Sequence, residues 1–224
     1  MTDYWPVVLL GVVALGLLLW VLMAQRGRVR AQRGALEQLG FQSCPDQRPW
    51  LEEAVARLEN NSRFRYEIKD PQRSSEGPPV FSYVKLRHRA GDSEPVAEQE
   101  VLFRLKRPAG PLVITVKPTA LAPGLATRLI AAVATGPWDA QPDDLQRLEI
   151  PADLKDTNIL AALGPSGTEL YGLVDSATIS VALGLGDAGG LFVRFRDGWC
   201  SVASASSQIP FKVDEVVARI QPLL

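Results

Sequence analysis

Side chains that could perform acid–base, nucleophilic or metal chemistry are few in this chain, and its single histidine sets the first limit. His88 lies between Arg87 and Arg89 on a predicted strand. One histidine cannot supply a two-histidine zinc site, and no G-x-S-x-G elbow accompanies it. Cys44 and Cys200 match neither metal-ligand spacing nor a dense disulfide framework. We therefore predict a surface or strand histidine, two free thiols and no cofactor or metal.

Residues 184–189, GLGDAG, spell the G-x-G-x-x-G pattern of dinucleotide-binding loops. Such a loop must follow a strand and open a helix, so that the helix N-terminus meets the pyrophosphate. The letters that follow, GLFVRFRDG, instead have the pattern of a strand. We interpret the motif as a glycine-rich loop that enters a hairpin.

Glu98 and Glu100 stand two residues apart on a predicted strand, so their side chains share one face of it. A pair of carboxylates is the arrangement that glycoside hydrolysis uses. No aromatic lining suited to a sugar accompanies this pair in the sequence. Because glutamates are mostly exposed in folded proteins, we expect both to lie on a solvated face.

Basic side chains alternate along three predicted strands. Lys85, Arg87 and Arg89 share one face of the first of these strands. The corresponding positions on the two others are Arg104, Lys106, Arg194 and Arg196. If the strands share a sheet, its wet face is cationic and binds anionic lipid, at about 1 kcal/mol per basic residue near the surface. The alternative is pairing across strands with nearby glutamates, namely Glu67, Glu98 and Glu100.

Residues 7–24 are an uninterrupted apolar run, long enough to cross a bilayer core of about 30 Å as a helix. Tyr4, Trp5 and Trp20 lie near its ends, where amphipathic rings favour the headgroup level. A secretory signal begins with basic residues and ends in a small-residue cleavage site. Here Asp3 precedes the run and no such site follows it. We predict a retained transmembrane anchor over 1–25, which contacts membrane lipid through 7–24.

Basic residues follow the anchor directly, in a segment at 26–48 that we predict to be a juxtamembrane helix and loop. Short basic flanks stay on the cytoplasmic side. We therefore expect a single-pass inner-membrane protein with its N-terminus outside and its C-terminal domain in the cytoplasm. The predicted contacts with anionic headgroups are Arg26, Arg28, Arg30, Arg33, Lys85, Arg87 and Arg89. A net charge of −1 and the scarcity of stacking aromatics argue against nucleic acid as a partner.

The chain after this segment mixes helix-type and strand-type patterns, which predicts an α+β domain. Apolar residues recur every three or four positions in a helix at 50–60, and Pro49 begins it. Period-two alternation with turns between the runs predicts an antiparallel meander. Its four strands are 64–69, 80–89, 97–106 and 112–117. A helix at 124–135 closes this first lobe, which spans 49–135.

A linker rich in proline and aspartate, residues 136–146, precedes a second lobe at 147–224. Residues 158–163 fit a strand or a helical turn, and we favour the strand. The other elements expected there are a helix at 169–177 capped by Ser166 or Thr168, a hairpin of strands 191–196 and 199–203, and a final helix from Asp214. The hairpin turn is Asp197-Gly198, a dipeptide that favours a type I′ turn. The expected fold class is α+β: a transmembrane helix, then a cytosolic domain with an antiparallel β-sheet and flanking helices. The letters leave open whether two similar lobes share one sheet.

Several segments resemble a group of uncharacterised bacterial single-pass membrane proteins, which have an N-terminal anchor and a cytosolic α+β domain. They are the apolar anchor, the basic exit ending ALEQLGF, and the tail ELYGLV…LFVRFRDGWCSV…FKVDEVVARI. The resemblance spans most of the chain. It implies the anchored α+β layout and supplies no catalytic or binding residue to transfer.

Three readings of the function fit these features. The first is a membrane-anchored cytosolic binding or scaffold domain, with a protein partner or the membrane surface as its target. The second is a membrane-tethered enzyme, and a third reading is an accessory subunit of a membrane complex. A deep pocket that gathers titratable side chains would favour the enzyme. A flat apolar or basic sheet face would favour the binding domain.

Overall fold

The computed structural model describes residues 34–117, 141–204 and 211–224. The predicted anchor, the four juxtamembrane arginines, the predicted helix at 124–135 and the first part of the predicted linker lie outside these ranges. Within them, no helix is long and apolar enough to cross a membrane. The chain divides into two compact units, residues 1–39 and residues 40–224. The described part of the first unit contains a helical segment at 34–38.

The second unit is an α+β fold built on one sheet, with nine antiparallel strands among the described residues. The strands are β1 Phe41–Ser43, β2 Phe64–Ser74, β3 Val80–Arg89, β4 Val96–Arg104, β5 Leu112–Val116, β6 Gln146–Arg147, β7 Ile159–Gly164, β8 Gly190–Arg196 and β9 Trp199–Ser204. Their order across the sheet is β1-β2-β3-β4-β9-β8-β5-β7-β6. Strands of both predicted lobes therefore share one sheet, which answers the question that the sequence left open.

The predicted meander is correct for β2, β3 and β4 but wrong for β5. The hairpin β8–β9 inserts between β4 and β5, so β4 pairs with β9, and β5 pairs with β8 and β7. This placement depends on contacts between strands far apart in the chain, which a local alternation pattern does not encode. The hairpin itself is confirmed. Asp197 and Gly198 have positive φ of 53° and 76°, as a type I′ turn requires.

Four α-helices accompany the sheet in the described part of the second unit: α1 Arg48–Glu59, α2 Leu170–Leu173, α3 Ser176–Gly184 and α4 Val213–Ile220. The prediction of α1 is confirmed, with a proline in its first turn. The left-handed Asn60, with φ of 40°, ends it. The single helix predicted at 169–177 is wrong. Asp175 caps α3 by accepting the Thr178 backbone N–H, so a new helix begins where the prediction continued the old one.

Two local predictions need smaller corrections. Strand β2 runs to Ser74, beyond the predicted end at 69, because a bulge at Asp70 and Pro71 bends the strand without ending it. Asp70 takes a positive φ of 49° there. The GLGDAG segment forms a 3-10 turn, Leu185–Ala188, and leads into β8. A strand and not a helix comes directly after the motif, which agrees with our interpretation of it as a loop that enters a hairpin.

The main apolar core lies between α1 and one face of the sheet. The buried members are Leu51, Ala54, Val55, Leu58, Ile68, Phe81, Tyr83 and Leu102. The helix contributes its three- and four-residue stripe, and the sheet contributes alternate positions of β2, β3 and β4. Trp50 contacts the rings of Phe81 and Trp199, each with 5.3 Å between centroids. Full burial of a large apolar side chain stabilises a fold by about 1.5–3 kcal/mol. The buried residues of this core, together with the ring contacts of Trp50, therefore hold α1 on the sheet.

Candidate functional site

Beside this apolar core, the same sheet face carries a group of charged side chains, which we call the charge cluster. Its members are Glu59, Lys85, Arg87, Glu98, Glu100 and Arg194. Lys85 is 0 % exposed, and Glu59, Glu98, Glu100 and Arg194 are each at most 2 % exposed. Charged side chains are almost never buried this fully unless they are paired, so the cluster is the most unusual feature of the described chain.

Alternation and strand register bring the members together. Lys85 on β3 lies directly opposite Glu98 on β4, and Tyr83 lies opposite Glu100. Side chains of directly paired residues project from the same face of a sheet. Glu59 reaches this face because it is the last residue of α1, four positions after the buried Val55.

The Lys85 ammonium is the centre of the cluster. Its Nζ lies 3.0 Å from Glu98 Oε2 and 2.9 Å from Glu100 Oε2, and it donates a hydrogen bond to Glu59 Oε1. One cation therefore has three carboxylate neighbours, from α1 and β4. The Tyr66 ring lies 5.9 Å from the Nζ and adds a cation–π contact.

Arg194 and Arg87 supply the remaining positive charge. Arg194 Nε lies 3.3 Å from Glu59 Oε1, and its Nη1 lies 3.8 Å from Glu100 Oε1. Arg87 Nη2 lies 3.7 Å from Glu98 Oε1. Three cations thus balance three carboxylates. This neutrality matters because an uncompensated charge in an apolar interior is far more costly than a paired one.

Hydroxyl groups of three further residues border the cluster. Tyr66 and Tyr83 lie on β2 and β3, and Ser201 on β9 stands opposite Arg194. Their side-chain oxygens are buried and have no hydrogen-bond partner among the described residues. An unpaired buried polar group costs about 1–3 kcal/mol. The unpaired hydroxyl groups therefore offset part of the stability that the ion pairs of the cluster contribute.

The pKa shifts follow from burial and from the neighbouring charges. Burial lowers the pKa of the Lys85 ammonium, but Glu100, Glu59 and Glu98 outweigh it, and the pKa is raised. Burial likewise opposes ionisation of Glu98, but Lys85 and the two arginines bring the pKa of that carboxyl below its ordinary value. Both groups are therefore charged at neutral pH.

Burial and pairing also define what the cluster can do chemically. A lysine with a raised pKa keeps its proton and offers no lone pair for nucleophilic attack. A carboxylate with a lowered pKa is a poor general acid at neutral pH. Burial, followed by the charges of Glu100 and Glu59, raises the pKa of the Tyr83 hydroxyl well above its ordinary value. These buried groups hold α1, β3, β4 and β8 together.

The structure overturns two expectations about exposure. Glu98 and Glu100 are buried, not solvated, and Lys85 is buried, not part of a wet basic face. The reason is that α1 covers this face and brings Glu59 to it. The alternative of pairing across strands describes Lys85 correctly. Arg89, by contrast, is exposed.

The histidine and the two cysteines that the sequence analysis considered lie outside the charge cluster. His88 is 43 % exposed, and its Nε2 lies 3.3 Å from Glu67 Oε2. Both cysteines are free thiols, as predicted, and burial followed by the charge of Glu100 raises the pKa of Cys200. No group of three or more histidine, cysteine or acidic side chains suited to a metal occurs in the described ranges.

Glu59 is the member of the cluster that sequence reasoning missed. The signal was present, since residues 51, 55 and 59 follow one helical face and two of them are apolar. A glutamate on the buried face of a helix requires a buried cation. Lys85 and Arg194, both on predicted strands, were candidates for that buried cation.

No protein-family model, curated protein or solved structure matches this chain. The resemblance to bacterial single-pass membrane proteins therefore stays a prediction from the sequence. The properties of the charge cluster come from its own geometry.

Replacing Lys85 tests whether the charge cluster is structural. We expect K85M to lower the free energy of unfolding by about 3–5 kcal/mol, because it leaves buried carboxylates without their central cation. The matched control is K69M, since Lys69 is exposed and its pair with Glu67, at 3.5 Å, is exposed as well. It should cost at most about 1 kcal/mol. Urea unfolding of the full chain in mild detergent measures both, and equal losses would contradict the assignment.

The lowered pKa of Glu98 predicts a loss of stability in acid. Its stabilising contribution is fully present above the unfolded-state pKa of about 4.3 and disappears as the pH falls through the lower folded-state pKa. We therefore expect the free energy of unfolding to decrease from about pH 5 downward. The variant E98Q should show a shallower decrease, measured by urea unfolding at each pH. Equal slopes for E98Q and the wild type would show that Glu98 does not carry this dependence.

Proposed function

We propose that this chain is a single-pass inner-membrane protein whose C-terminal domain is a cytosolic binding or scaffold domain. The observation that carries the proposal is the charge cluster. Its members are paired, and all but Arg87 are buried, so they hold the sheet and α1 in one arrangement. A rigid domain with its central charges engaged internally suits recognition by its outer surface, because a preorganised surface loses little entropy on binding.

The membrane part of the proposal rests on the sequence. The apolar run at 7–24 and the arginines after it support an anchor with the domain on the cytoplasmic side. Arg26, Arg28, Arg30, Arg33 and Arg89 remain proposed contacts with anionic headgroups. Lys85 is withdrawn from this set because it is buried. Arg87 contributes less than expected, since its side chain is only 14 % exposed and Glu98 lies beside it.

A membrane-tethered enzyme is the second candidate, and one observation favours it. Six charged groups and two tyrosines gather in one place, and the pKa values of several are shifted, as is common at active sites. The directions of the shifts for Lys85 and Glu98 support a structural cluster instead, because both favour the charged form. An accessory subunit of a membrane complex would be one version of the binding proposal, with the complex as partner.

Topology and extraction test the membrane part. We expect a reporter that is active only in the cytoplasm to be active when it is fused to the C-terminus. We also expect the full chain to stay in the membrane pellet after a carbonate wash, because a spanning helix is not released by loss of electrostatic contacts. A variant lacking residues 1–25 should appear in the supernatant. A periplasmic reporter, or release of the intact chain by carbonate, would overturn the placement.

Affinity purification in mild detergent separates the binding domain from a solitary enzyme. We expect the full chain to retain at least one partner protein in a fixed molar ratio, measured by quantitative mass spectrometry of the eluate. K85M serves as the comparison, since a weakened cluster should loosen the rigid surface and reduce that ratio. K69M should retain it. A wild-type chain that elutes alone from native membranes would contradict the proposed binding function.

A further inference from the structure

Residues 141–145, which we call the strap, are attached to the C-terminal end of α1. The Asn61 side-chain amide donates to the Gln141 carbonyl, at 2.8 Å. The Asp143 backbone N–H donates to the Asn60 carbonyl, also at 2.8 Å. In return, the Ser62 backbone N–H donates to Asp143 Oδ2 at 2.8 Å. Three hydrogen bonds thus hold the strap on the turn that follows α1.

The other side of the strap is attached to the sheet. The two terminal guanidinium nitrogens of Arg196 on β8, Nη1 and Nη2, donate to the Asp144 carboxylate, at 2.8 Å and 2.7 Å. A bidentate pair of this kind is stronger and more directional than a single contact. Leu145 is buried in a small apolar cluster with Val113 and Leu163. The strap therefore joins α1, β8 and the neighbouring strands β5 and β7.

Both attachment points lie next to members of the charge cluster. Asn60 directly follows Glu59, and Arg196 stands two residues after Arg194 on the same face of β8. Glu59 and Arg194 are themselves an ion pair, with 3.3 Å between Oε1 and Nε. The strap connects the two elements that this ion pair connects, but it contributes no charge to the cluster.

We propose that the strap is a latch that holds the C-terminal end of α1 over the charge cluster. Its opening lets this end of the helix, with Glu59, move away and exposes Lys85 while the sheet stays folded. Asp143 and Asp144 are exposed, so water competes for their hydrogen bonds. The hydrogen bonds between the central strands are buried, and they break only in larger openings. Segments with exposed hydrogen bonds open at lower free energy than a sheet core does. The strap thus controls access to groups that are inaccessible in the closed conformation.

The test compares two measurements on the full chain in mild detergent. Amide exchange by mass spectrometry follows the strap, the end of α1 and the central strands. Labelling by an amine-reactive ester follows Lys85. Both are repeated at low urea concentrations, because a local opening depends weakly on urea and global unfolding depends strongly on it. We expect the rate of Lys85 labelling and the rate of strap amide exchange to share a weak urea dependence. The β3 and β4 amides should exchange more slowly than the strap amides and with a strong urea dependence.

The variant D144N removes the charge that holds Arg196. We expect strap exchange and Lys85 labelling to rise together by about three- to tenfold, the effect of losing one partly exposed bidentate ion pair. The matched control is E215Q, which removes the exposed Lys212–Glu215 pair, with 2.6 Å between Nζ and Oε1. It should change neither measurement. If D144N does not fold, D143A, which removes the acceptor for the Ser62 N–H, should act in the same direction.

Two results would overturn the proposal. In the first, Lys85 labelling follows the rate and urea dependence of the β3 and β4 amides, so the lysine is reached only by global unfolding. In the second, D144N leaves strap exchange unchanged, or raises it without any change in Lys85 labelling. The strap would then be an ordinary surface loop.

Discussion

The domain depends most on one interaction, the burial of the Lys85 ammonium among the carboxylates of Glu59, Glu98 and Glu100. Burying a charge is favourable only when opposite charges and hydrogen bonds replace the lost water. Here the replacements come from a helix and from a neighbouring strand, so the lysine is satisfied only if both are in place. A slip of one residue between β3 and β4 would move Lys85 to the other face and leave the carboxylates alone. The cluster therefore selects the register of the central strands.

The same requirement explains the small side chains on β9. This strand lies between β4 and β8, so Arg194 and Glu100 must reach across it. Register places Ala203 opposite Glu100 and Ser201 opposite Arg194. Both are small, and Arg194 Nη1 lies 3.8 Å from Glu100 Oε1 above them. Large side chains at these positions would separate the charges, so the sequence of β9 and the geometry of the cluster constrain each other.

Local elements of this fold can be read from the sequence, whereas the cluster cannot be read from any single element. Helix α1 and the turn at Asp197 and Gly198 follow from residue spacing and backbone preference, which act over a few residues. The burial of Glu98 and Glu100 depends on which sheet face α1 covers. Contacts between distant segments determine which face α1 covers. A strand with charges on one face has the pattern of a solvated strand, and only the position of the covering helix shows that the face is buried. The pairing of β5 with β8 could not be predicted either, because it also depends on contacts between segments far apart in the chain. Glu59 was the one residue whose helical phase indicated a buried charge.

Charge balance also bears on what the domain does. A catalytic acid or base works best with a pKa near the working pH, which requires an environment that destabilises its charged form. The cluster does the opposite for Lys85 and Glu98, because each is surrounded by charges that favour its ionised state. Its strength as a structural device follows from the same arrangement, since every member is held in place by opposite charges on other elements. Such a cluster resists small displacements of α1 and keeps the outer surface constant. A constant outer surface is what the proposed binding or scaffold function would require.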